Sequence, residues 1–186
     1  MKRVLVIGCP GSGKSTFARR LSEMTGFPLV YLDMLFHKAD RTTCSKEEFD
    51  EQLTRVLERD EWILDGNYAR TLGMRLERCD TVFWLDYPTE VCLAGVRSRR
   101  GKPREDMPWV EMEEDEEFME YIKNFERDRK PEMEDMLGRV EGKEVHVFTS
   151  REMAEEYFKG IVERISLTEH LKSFKSFYDF VSYTKG

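Results

Sequence analysis

Cysteine is scarce and scattered in this 186-residue chain: Cys9, Cys44, Cys79 and Cys92 form no C-x-x-C pair and show no Cys/His spacing suited to a metal. That excludes a disulfide scaffold and leaves reduced thiols filling the core as the expectation. Long hydrophobic runs are missing too. The longest are strand-sized, such as Val4-Leu5-Val6-Ile7 and Val82-Phe83-Trp84-Leu85, far short of the roughly 20 apolar residues that a membrane helix needs. The chain opens directly into a strand-like run, which predicts no signal peptide, no membrane partner and a cytoplasmic location. An excess of basic charge is also lacking. The formal net charge is −7 and the pI is near 5.2, which argues against direct nucleic-acid binding. No internal repeat is visible.

What is present is a regular alternation. Hydrophobic residues make up 40% of the chain and charged residues 36%, the balance of a charged globular domain. Strand-like runs fall at Arg3–Ile7, Leu29–Leu32, Trp62–Leu64, Thr81–Leu85 and Glu144–Phe148. Helical patterns lie between them. Phe17, Ala18, Leu21 and Met24 share one helical face, and Ser45 with Glu48 reads as a capping box ahead of Phe49, Leu53, Val56 and Leu57. Pro88 suits a helix start and Gly101 its exit. The alternation predicts an α/β fold, a parallel sheet between two layers of helices, over residues 1–165. Residues 97–130 interrupt it with an arginine-rich stretch and an acidic burst from Glu111 to Glu117, the character of a lid. The aromatic tail, 166–186, predicts a helix packed on the domain or on a second copy of the chain.

Gly8-Cys9-Pro10-Gly11-Ser12-Gly13-Lys14-Ser15 fills every fixed position of G-x-x-x-x-G-K-[ST]. It sits between a strand and an amphipathic helix, the context the motif requires. Gly8, Gly11 and Gly13 let the backbone curl until successive N–H groups face phosphate oxygens, and the helix start adds its unpaired donors and positive dipole end. Lys14 supplies charge between the β- and γ-phosphates, Ser15 a hydroxyl for Mg²⁺, and Thr16 a contact toward the α-phosphate. The sequence therefore predicts a nucleoside-triphosphate site.

Other features narrow the branch. The N-K-x-D of GTPases is absent, as is the signature loop of ABC-type ATPases. Trp62-Ile63-Leu64-Asp65-Gly66 ends a strand on an acid, placing Asp65 to hold Mg²⁺ beside the loop; a plain D-G turn is the alternative. Arg97, Arg99, Arg100, Lys102 and Arg104 gather five cations just before the acidic burst. Arg97 and Arg100, three apart and so on one helix face, are the candidates to stabilise transferring phosphate; a solvated, salt-bridged face is the rival reading.

The phosphate loop, Asp65-Gly66-Asn67-Tyr68-Ala69-Arg70, and Asp80-Thr81-Val82-Phe83-Trp84-Leu85-Asp86 together resemble the adenylate kinase-like P-loop family. Tyr31-Leu32-Asp33 with Leu35-Phe36, the D-G-N-Y element and Arg104-Glu105-Asp106-Met107 are similar to its bacterial DNA topology modulation subgroup. The resemblance implies a five-stranded sheet in the order 2-3-1-4-5, ATP with Mg²⁺, and a kinase-type site. The expected monophosphate-gripping arginine is displaced: Asn67-Tyr68-Ala69 intervenes before Arg70. An acid such as Asp33, followed by Leu35-Phe36-His37, resembles the residue that accepts the hydroxyl proton in nucleoside and small-metabolite kinases. Asn67 and Tyr68 are candidates to face the acceptor or to pack under the loop.

The leading expectation is a kinase that transfers the γ-phosphoryl group of MgATP to a small acceptor. Lys14, Asp33, Arg97 and Arg100 would be catalytic, and Asp33, Asn67, Tyr68 and Arg70 would hold the acceptor. An ATP-binding regulatory protein that transfers nothing is the alternative.

Overall fold

The computed structural model describes residues 1–163; the aromatic tail, 166–186, lies outside the described residues. Five strands, β1 (Arg3–Gly8), β2 (Leu29–Tyr31), β3 (Trp62–Asp65), β4 (Thr81–Leu85) and β5 (Glu144–Phe148), form one sheet. All neighbours are parallel, and the order is β2-β3-β1-β4-β5, as the resemblance implied. Every residue of β3 and β4 is buried. Side chains alternate between the faces of a strand, so both faces of the central sheet are covered by helices. Those helices are α1 (Lys14–Thr25), α2 (Leu32–Phe36), α3 (Lys46–Leu57), α4 (Ala69–Arg78), α5 (Thr89–Arg99), α6 (Glu116–Asp128) and α7 (Lys130–Gly138).

Local chemistry explains several boundaries. Ser45 and Glu48 form the expected capping box at the start of α3, and Phe49, Leu53, Val56 and Leu57 are its buried face. Gly26, left-handed at φ 73°, closes α1. All four cysteines are free and buried. Three helices escape periodicity. The five residues of α2 read as the end of β2. The buried face of α4 holds Thr71 and Arg75 beside Leu72 and Leu76, which dilutes the apolar stripe. In α7 only Met133 is buried.

The sheet belongs to a compact unit that runs from Met1 to Ser150. In the second unit, residues 151–163 are helical. Within the first, the pairing sets Val6 beside Asp65 and Gly8 beside Leu85. The carboxyl ends of β1, β3 and β4 thus share one edge, where sites of open parallel sheets form.

Candidate active site

The phosphate loop grows out of β1 at that edge. Gly13, at φ 95°, occupies the left-handed N-cap of α1, which aims the helix start into the loop. The turn is tied by Ser12 N donating to Cys9 O at 3.1 Å and by Lys14 Nζ donating to the same carbonyl at 3.1 Å. The loop also rests directly on α5. A Cβ on Gly11 would lie 2.0 Å from Cys92 O, and one on Gly95 would lie 2.1 Å from Gly11 O. Two glycines, one on each side, permit this backbone-to-backbone approach.

A cleft of about 660 Å³ opens over the loop, and its walls include Pro10, Lys14, Ser15, Asp33, Asp65, Asn67, Tyr68, Arg97, Arg99, Arg100, Asp106 and Trp109. Most of the sequence-derived candidates thus converge. Asp65, at the end of β3, is buried and its Oδ1 has no hydrogen-bond partner. Burial raises its carboxyl to about 6, against the opposing pull of Lys14 and a Ser15 hydrogen bond, with Asp33 and Asp106 adding to the rise. A buried, unpartnered carboxylate oxygen beside a serine hydroxyl and a lysine fits a hard, oxygen-seeking cation. Ser15 and Asp65 are therefore the residues here suited to Mg²⁺.

Asp33 falls in the first turn of α2 rather than in β2. Its Oδ1 accepts a 2.7 Å hydrogen bond from Tyr68 Oη. Tyr68 is held in an uncommon backbone state, φ 35°, stacked on Phe49 at 5.0 Å and edge-on to Phe36 at 5.4 Å. Burial, reinforced by the neighbouring Asp33, keeps its phenol protonated well above the usual range. Asn67 turns toward the phosphate loop. Its Oδ1 accepts from Gly8 N at 3.0 Å, and its Nδ2 donates to Gly8 O at 2.7 Å. Asn67 is therefore a clamp on the loop as well as a cleft residue.

Arginines take unequal positions. Arg97 lies in α5, but α5 ends at Arg99, and Arg100, with ψ 138°, has left the helix. The shared-face argument for Arg97 and Arg100 therefore fails, yet both converge on Glu114, at 3.5 and 2.5 Å. Arg99 is the more buried, pairing with Glu111 at 3.4 Å; burial and the nearby Arg104 lower its pKa. Arg70 sits apart from the cleft lining and grips Asp50 with both guanidinium ends, at 2.8 and 2.6 Å. Thr16 is exposed at the start of α1.

Two residues that sequence reasoning passed over are central. Arg75 is fully buried, and its guanidinium donates to the carbonyls of Gly66 (2.8 Å), Tyr68 (3.0 Å) and Asn67. Among the described residues no carboxylate pairs with it, and burial lowers its pKa to about 9. It shapes the turn from which Asn67 and Tyr68 project. Its position on a helix face was the only available signal, and a periodicity search discards arginine there. Asp106 accepts a 2.7 Å hydrogen bond from Ser15 Oγ. Its segment carries part of the family resemblance, but no spacing links residue 106 to residue 15.

No family model matches the chain. Curated relatives are adenylate kinases. That of Thermotoga maritima is 32% identical over 97 residues, 50% of this chain and 43% of the relative. That of Thermosipho africanus is 29% identical over 120 residues, 61% of this chain and 55% of the relative. The chain thus matches about half the length of these enzymes. Among solved structures, a shikimate kinase from Bacteroides thetaiotaomicron aligns with TM-score 0.56 and 17% identity, over 89% of this chain and 98% of that one. The Acinetobacter baumannii shikimate kinase solved with shikimate gives TM-score 0.58 and 17% identity, over 88% and 94%. The likeness to these structures establishes the fold: the chain shares their α/β architecture, a five-stranded parallel sheet with helices around it.

Proposed function

We propose that this chain is a small-molecule kinase of the adenylate kinase-like group, binding MgATP on the loop from Gly8 to Ser15 and transferring its γ-phosphoryl group to a hydroxyl of a nucleoside or nucleotide. The observation that carries this reading is that Lys14 and Asp33, a phosphate-binding cation and a candidate base on separate elements, line one cleft. Phosphoryl transfer asks chiefly for positioning and charge neutralisation. Mg²⁺ held by Ser15 and Asp65 would supply the neutralising charge on the phosphates.

The remaining work falls to side chains. Lys14 and the loop N–H groups hold the phosphates. Tyr68 fixes one oxygen of Asp33, leaving the other to accept the acceptor's hydroxyl proton. Arg97 and Arg100 already share a carboxylate, Glu114, and phosphate oxygens offer them the same kind of partner. Tyr68, His37 and Trp109 give that side of the cleft an aromatic wall, with His37 and Trp109 edge-to-face at 5.0 Å. This favours a planar base over a bare hydroxy acid. The D-G-N-Y and L-D-x-L-F elements that resemble the topology modulation subgroup are, in this reading, parts of a kinase site.

The test is ADP formation from MgATP across nucleosides, nucleoside monophosphates and small hydroxy acids, with Lys14→Ala as the blank. A strong response to a nucleobase-containing acceptor, lost in Lys14→Ala, supports the reading. A response confined to hydroxy acids overturns the acceptor class. Slow turnover indifferent to every acceptor overturns the kinase and favours an ATP-binding regulatory protein.

A further inference from the structure

A hydroxyl that ligates a cation uses an oxygen lone pair and still has one proton to place. Where that proton goes decides whether the lone pair faces the metal. In this chain Ser15 Oγ donates to Asp106 Oδ2 at 2.7 Å and is also within hydrogen-bonding reach of Asp65. Its one proton can serve only one of the two carboxylates, and donation to Asp106 is the arrangement that keeps the oxygen's lone pairs for a cation beside Asp65. Asp106 is well placed to hold that proton. The residue is buried, and Arg104 Nη1 donates to the same Oδ2 at 3.2 Å. Arg104 in turn faces Glu111 at 3.4 Å, and Glu111 also pairs with Arg99 at 3.4 Å. The backbone of the segment is tied as well, with Gly101 N donating to Glu111 O at 2.8 Å.

We propose that Asp106 is a positioning residue of the cation site: it orients the Ser15 hydroxyl so that its oxygen ligates the Mg²⁺ of a bound nucleoside triphosphate, and through Arg104 and Glu111 it ties the segment between α5 and α6 to that site. Asp106 takes this outer place because its Oδ2 is already engaged by Ser15 Oγ and Arg104 Nη1, whereas Asp65 Oδ1 has no partner. It acts one layer out, where loss of a partner commonly weakens metal affinity by about 10- to 100-fold. The proposal rests on the loop being a Mg²⁺–triphosphate site and is independent of the acceptor.

The test is calorimetric binding of a non-hydrolysable ATP analogue to the full chain, once in EDTA and once in Mg²⁺, for wild type, Asp106→Asn, Asp106→Glu and Ser15→Ala. Wild type should gain affinity with Mg²⁺. Asp106→Asn should bind the analogue in EDTA at least as well as wild type, because a negative charge has left the phosphate site. Its gain from Mg²⁺ should fall by about tenfold or more, toward that of Ser15→Ala, and Asp106→Glu should recover part of it. An unchanged Mg²⁺ gain in Asp106→Asn would overturn the proposal. So would an equal loss of affinity in both conditions, which marks a purely structural role. If wild type fails to bind the analogue at all, the kinase reading falls and this proposal with it, an outcome distinct from the other two.

Discussion

Replacing Gly95 with alanine asks whether the contact between α5 and the phosphate loop governs the site. Gly95 is inside α5, and in an ordinary helix interior Gly→Ala stabilises by about 1 kcal/mol. Here the new Cβ would stand 2.1 Å from Gly11 O and 2.9 Å from Gly11 C. Both atoms are backbone, so no side chain can swing aside. To reach ordinary contact, which begins at 3.4 Å, loop and helix must part by about 1 Å, and overpacking of that kind costs about 1–3 kcal/mol. The sign of the usual effect therefore reverses. Gly73, inside α4, is the control: its Cβ would meet only the end of the Met136 side chain, at 3.6 Å, so Gly73→Ala should stabilise by about 0.5–1 kcal/mol. Urea unfolding of both variants reads the difference, and nucleotide binding should weaken in Gly95→Ala alone. If Gly95→Ala proves as stable as Gly73→Ala and binds nucleotide like wild type, the reasoning about this contact is wrong.

Arg75→Met should destabilise the protein by about 1–3 kcal/mol, because the carbonyls of Gly66, Asn67 and Tyr68 lose a shared buried donor; an unfolding midpoint equal to wild type would refute that. Asp65 gives a pH dependence to the protein without nucleotide or divalent cation. Its folded-state pKa is raised, from 3.8 to about 6, so the folded state holds the proton more tightly than the unfolded state does. The resulting stabilisation is complete below the unfolded value and is lost as pH rises through about 6, a change on the order of 3 kcal/mol. Asp65→Asn should remove that loss, so the two unfolding curves should diverge between about pH 4 and pH 7; parallel curves would contradict it.

What the sequence made legible was whatever repeats along the chain or sits in a fixed spacing. Four of the strands follow from contiguous apolar runs, β5 from the shorter pattern Glu144-Val145-His146-Val147-Phe148, and Gly8 to Ser15 from a motif with every position filled. Asp65 stood out because it ends a strand, and Asp33, Asn67 and Tyr68 through the family resemblance; all four line the cleft at the edge where the strand ends of a parallel sheet meet. Contacts made between distant segments left no such trace. Asp106 reaches Ser15 across 91 positions, and Arg75 acts on the backbone of residues 66–68 from within α4. Gly95 reads as a weak spot in a helix until Gly11 is seen against it. Arg70 misled because a motif offset places a residue along the chain without saying which way it points, and Asp50 on α3 captures it.

The central claim is phosphoryl transfer with Asp33 as base, and it is tested most directly by following ³²P from [γ-³²P]ATP into an isolated acceptor under single-turnover conditions, for wild type and Asp33→Asn. The account predicts labelled acceptor with wild type, a rate lowered by about 10²- to 10⁴-fold in Asp33→Asn, and ATP affinity equal in the two proteins. Transfer at the wild-type rate in Asp33→Asn would contradict it, and so would label released only as inorganic phosphate.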